Sequence, residues 1–117
     1  MLPAAHRLTD ARAFRAVIRG GSRAGSRTLV VHLDPVPTDA SGVARVGLVV
    51  SRAVGNAVTR NRVQRRLRHL ARERLDGLPG SCALVIRALP PASAASSAEL
   101  ASDLDRCLQR VLREVTS

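Results

Sequence analysis

Apolar residues along this chain recur with two different periods, and the switches between them outline its elements. A two-residue alternation runs through 28–33, 45–51 and 82–88, which predicts three strands. Leu29, Val31, Leu33, Val46, Leu48, Val50, Cys82, Leu84 and Ile86 then share one face, the predicted core. The opposite face shows Thr28, Val30, His32, Arg45, Gly47, Val49, Ser51, Ala83, Val85 and Arg87. It is small, mixed and partly cationic. Two readings stay open: a shallow trough able to hold an extended strand of nucleic acid, or a side of the sheet that faces solvent or lies under the first helix.

A helical period fills the remaining segments. Phe14, Val17 and Ile18 fall at i, i+3, i+4, so a first helix is expected from a Thr9 cap to about residue 18, closed by Gly20-Gly21. Residues 20–27 are polar and basic and read as a loop. Pro35, Pro37, Asp39, Ser41 and Gly42 mark a turn that would join the first two strands as a hairpin. Asn56 is placed to cap a helix running to about residue 75, stopped by Gly77, Pro79 and Gly80. A capping box, Ser96 to Glu99, opens a last helix whose Leu100, Leu104, Cys107, Leu108, Val111 and Val115 form one stripe, a lid for the core. The order α-β-β-α-β-α predicts an α+β sandwich, helices against a small sheet, as a single domain over 1–117. With 117 residues, 45% of them apolar, the chain suits one domain with a modest core.

Charge changes this picture. All 19 cationic residues are arginine, and the formal net charge is +10. Residues 1–74 carry 15 arginines and 4 acids, whereas 75–117 carry 4 arginines and 5 acids. So uneven a split predicts that one end or face meets a polyanion. The focus is 52–74, with eight arginines and one acid, Glu73. With Val63 at zero on a helical wheel, Leu67, Leu70 and Ala71 fall within about 80° of it and should pack on the sheet. Arg62, Arg65, His69 and Arg72 fall on the far side, with Arg68 at its edge, as a comb of guanidinium groups for phosphate. Arg60-Asn61-Arg62 sets two of them around a carboxamide in the first turns, where the helix dipole also attracts anions.

Other chemistry finds little support. Cys82 and Cys107 have no CxxC spacing and are expected reduced and buried. His6, His32 and His69 are not grouped with acids as metal ligands or a triad, which argues against a hydrolase acting alone. No apolar run approaches the length of a membrane span, and the opening residues lack the core of a signal peptide, so a cytoplasmic protein is expected. A strand running straight into the basic helix argues against helix-turn-helix binding of DNA. A ribosomal or RNA-chaperone protein without enzymatic role is the alternative that charge and size permit.

The segment Arg45-Val46-Gly47-Leu48-Val49-Val50-Ser51-Arg52-Ala53-Val54-Gly55-Asn56-Ala57-Val58-Thr59-Arg60-Asn61-Arg62-Val63-Gln64-Arg65-Arg66-Leu67-Arg68 resembles the signature of the bacterial ribonuclease P protein subunit. Residues 8–21 resemble that family's first helix, and 78–112 its last third. The resemblance implies an α/β sandwich of the ribosomal protein S5 domain 2-like type, in which the basic helix makes a left-handed β-α-β crossover instead of the usual right-handed one. It implies a monomer bound one-to-one to a catalytic RNA, with no membrane partner. Together they would remove the 5′ leader of precursor tRNA. Mg2+ held mainly by the RNA would carry out the hydrolysis, and the protein would supply no nucleophile. By position, Arg60, Asn61, Arg62, Arg65, Arg66 and Arg68 match the family's RNA-binding motif, and Arg52 and Asn56 its lead-in. Phe14 matches an aromatic of the cleft that holds the leader. Ile18 and His32 stand where the family often has further aromatics. Leader binding would then lean more on Arg27, Arg45 and Arg87, or on stacking by His32.

Overall fold

The computed structural model describes residues 7–8, 10–35, 43–78 and 81–116. Helix α1 spans Ala11–Gly20, β1 Ser22–Gly25, β2 Leu29–Asp34, β3 Arg45–Val49, α2 Ala57–Glu73, β4 Ala83–Ala88 and α3 Ser97–Thr116. Short 3-10 turns at Arg52–Val54, Leu75–Gly77 and Pro90–Ser93 link them.

The four strands lie in the order β1-β2-β4-β3. Antiparallel ladders join β1 to β2 and β2 to β4, whereas β3 runs parallel to β4. The predicted hairpin is therefore replaced: β4 lies between β2 and β3, and α2 becomes the crossover that parallel neighbours require. The predicted loop at 20–27 contains β1, which extends the sheet by one edge strand. Of the turn residues at 35–42, only Pro35 falls within the described residues.

The sheet is covered on both faces. Leu29, Val31, Leu33, Val46, Cys82, Leu84 and Ile86 point into the main core as alternation predicts, meeting Val63 and Leu67 of α2 and Leu100, Leu104 and Val111 of α3. Leu48 and Val50 pack at its edge. On the other face, Ala83 and Val85 form a second cluster with Val17 of α1 and Leu8. The open trough is thus closed over β2 and β4, and the alternative of a face lying under the first helix holds there. Both cysteines are free and buried, and burial pushes the Cys82 thiol up to about 11.

Helix boundaries follow local chemistry. Asp10 caps α1, its carboxylate accepting from the Arg12 amide at 3.0 Å, where Thr9 was expected; Thr9 lies outside the described residues. Asn56 caps α2 as predicted, accepting from the Thr59 amide at 2.9 Å. The capping box forms in full, with Glu99 N–H donating to Ser96 Oγ and Ser96 N–H to Glu99 Oε1, both at 3.1 Å.

Candidate nucleic-acid interface

The basic helix is aimed by what precedes it. After β3 the chain makes the 3-10 turn Arg52–Val54, and Val54 is buried as its anchor. Gly55 follows at φ +157°, where a Cβ would also press on Thr59. Asn56 then starts α2, leaving the amide groups of its first turn and the exposed Arg52 and Asn61 at the positive end of the dipole. The Asn56 carboxamide oxygen is spent on the cap, so only its NH2 remains for a ligand.

Along the helix the side chains divide into three sets. Val63, Leu67, Leu70 and Ala71 are buried against the sheet, as the wheel predicts. Asn61, Gln64, Arg65, Arg68 and His69 line a surface concavity of about 480 Å³. The third set departs from the comb: Arg62 Nη2 donates to the Ser93 carbonyl at 2.8 Å and Arg66 Nη1 to the Ala95 carbonyl at 3.0 Å. These two half-buried guanidinium groups grip the turn after β4, because a helix lying beside an irregular loop meets orphan carbonyls there. Arg60 is half-buried as well. Among the described residues, the acids at this end of the molecule meet His69, 3.5 Å from Glu73, and Arg74, which pairs with Glu73 and Asp105. Arg52, Arg60, Arg62, Arg65, Arg66 and Arg68 have no carboxylate partner there.

Gln64 and Arg68 also line a second hollow of about 140 Å³, with Arg7, Leu8, Phe14, Val46, Gly47 and Leu48. Phe14 reaches it because its ring lies on Gly47, where a Cβ would overlap ring carbons. The two hollows share side chains, so the cationic face of α2 continues to the aromatic ring past the outer edge of β3, where Arg7 and Leu8 bridge Val46. Sequence reasoning missed Gln64, Arg7 and Leu8. Gln64 was within reach, being about 100° from Val63 and so on the border of the buried stripe.

The remaining cleft candidates separate. Ile18 is 39% exposed on α1, and Arg45 is half-buried at the start of β3. Arg27 and Arg87 are exposed. His32 is buried, with 3% of its surface exposed, beside Val85 on β4 and Arg23 on β1. It cannot stack on a base as expected, since α1 covers this part of the face. Among the described residues, no three His, Cys, Asp or Glu side chains come together as metal ligands, and no helix is long and apolar enough to cross a membrane.

A family model described as Ribonuclease P matches residues 2–112. The chain belongs to the ribonuclease P protein family. Its relatives include the ribonuclease P protein component of a Nocardioides species, 67% identical over 116 residues and covering 99% of each chain. The component from Mycobacterium avium is 53% identical over 95% of each chain. Among solved structures, a mutant of the Staphylococcus aureus RNase P protein superposes with a TM-score of 0.80 at 22% identity, covering 90% of this chain and 86% of that one. That likeness shows the family's α+β fold, four strands and three helices here included.

Proposed function

We propose that this chain is the protein subunit of ribonuclease P, which binds the enzyme's catalytic RNA one-to-one and guides the 5′ leader of precursor tRNA into RNA-catalysed, Mg2+-dependent cleavage. The observation that carries this reading is the continuous surface from Arg65 and Asn61, past Gln64 and Arg68, to Phe14. A polyanion neutralises the first part, and an unpaired base finds an aromatic ring at the second. Arginine forks hold phosphate in a fixed geometry, and stacking on a ring contributes ~1–3 kcal/mol per base. Arg52, Asn56, Arg60, Asn61, Arg65 and Arg68 serve the catalytic RNA, while Phe14, Ile18 and Arg45 serve the leader.

In this reading the Mg2+ ions are held mainly by the RNA. Metal ions bound by the RNA would supply the activated water and stabilise the leaving oxygen. The protein's part is to neutralise RNA charge and hold the leader, which lowers the magnesium needed and favours precursor over mature tRNA. The test is reconstitution with ribonuclease P RNA at low magnesium, following release of the leader. A rate well above that of RNA alone is expected. No gain would return the chain to the class of RNA-binding proteins without enzymatic role.

A further inference from the structure

The turn after β4 is an unusual companion for the basic helix. Ala92 and Ala95 are buried beneath it, while Pro90, Pro91 and Ala94 are exposed. Arg62 and Arg66 hold it through the carbonyls of Ser93 and Ala95. It also packs against the Arg52–Val54 turn at the head of α2. Val58 lies one helical turn before Arg62 on that side, and is 76% exposed. The result is an apolar surface rimmed by arginine. No acid occurs in sequence from 43 to 72 or from 77 to 98, and the next one, Glu99, is tied to the Ser96 amide at the start of α3.

We propose that Pro90, Pro91 and Ala94, with Val58 at the border with the concavity, form a second RNA-contact platform beside Arg62 and Arg66. An unstacked nucleotide of the ribonuclease P RNA lies on it, its phosphates against the rim arginines. The inference rests on the function proposed above. Charge complementarity selects the occupant, because an apolar patch beside Arg62 and Arg66, whose nearest acid is engaged by a backbone amide, favours a polyanion with flat faces. Proline rings are rigid and lose no rotamer freedom when covered. Each clamping guanidinium has five N–H donors, so a carbonyl contact fixes its orientation and leaves donors for phosphate. The basic helix thereby engages RNA at the platform as well as at the concavity, and Arg62 and Arg66 reach it beside the turn.

The test is titration of ribonuclease P RNA with the full chain and three Glu variants at one fixed salt concentration. Val58→Glu and Ala94→Glu are expected to raise Kd by about tenfold or more, and Gln109→Glu, exposed on α3, by less than about twofold. An acid at Val58 sits in the first turn of α2, where the dipole tolerates it, so unchanged thermal melting is the expected control. Ala94→Arg, made in parallel, should bind at least as tightly as the wild type. Equal affinity of Ala94→Glu and Gln109→Glu overturns the platform, as does an equal loss for Ala94→Arg and Ala94→Glu. A wild-type chain that does not bind this RNA overturns the function proposed above, and the platform with it.

Discussion

A buried imidazole surrounded by arginines sets an acid limit on this protein. Neither ring nitrogen of His32 has a hydrogen-bond partner among the described residues. Burial first, then Arg87 and Arg23, lower its pKa from 6.5. The charged groups on α1, β1 and β4, the elements around it, are all arginine: Arg12, Arg15, Arg19, Arg23 and Arg87. The folded state therefore favours neutral His32, while the unfolded chain takes up a proton near 6.5. Stability from this site is complete above that value and is lost as pH falls through the lower folded pKa. Between about pH 7.5 and 5.5 the urea midpoint of the wild type should drop, and that of His32→Phe should stay nearly level. A variant as pH-sensitive as the wild type would show that His32 is not the source of the effect. Strand alternation puts His32 on the correct face. What covers that face is decided by where α1 docks, which no local period encodes.

Pairs of elements are held by a few polar contacts among apolar ones. Where α3 crosses β2, Thr28 Oγ1 donates to Asp103 Oδ2 at 2.5 Å, and Arg106 Nη2 to Oδ1 at 2.8 Å. The Thr28 hydroxyl chiefly, then Arg106, holds the Asp103 carboxyl below its ordinary value, although burial opposes them. A depressed carboxyl pKa gives stability that is present above the unfolded value of 3.8 and is lost as pH falls through the folded one. Asp103→Ala should cost about 1.5 kcal/mol near neutral pH, since it also strands the buried Thr28 hydroxyl, and should blunt the acid-induced loss below about pH 4. Equal denaturation midpoints for variant and wild type would show that the contact contributes nothing. The stripe of α3 was readable because buried helices repeat at 3.6 residues. The strand Ser22–Gly25 was not, since Ser-Arg-Ala-Gly has no apolar period and becomes a strand only by pairing with β2. Strand partners were unreadable for a related reason: β2, β3 and β4 share one alternation, and nothing local says that β4 lies between the other two.

For the molecule as a whole, charge is the property that reaches the partner before any contact forms. The arginines of 52–72 were readable as a polyanion site because no acid accompanies them, and among the described residues none of them pairs with a carboxylate. Their division of labour was not readable, because Arg62 and Arg66 meet a turn some thirty residues further along. That division predicts two mutant classes. Arg65→Ala and Arg68→Ala remove cations from the concavity without touching the fold. Each should lower the slope of log affinity against log salt by roughly 0.7–0.9 per lost phosphate contact and leave thermal melting unchanged. Arg62→Ala and Arg66→Ala also release the Ser93 and Ala95 carbonyls. They should melt at lower temperature as well, by about 1 kcal/mol of stability for each lost hydrogen bond. Titration of the RNA at several salt concentrations, with melting of the free protein, separates the classes. If all four variants melted alike, the clamp would not stabilise the turn. If none altered the salt slope, the helix would not be the surface on which the RNA lies.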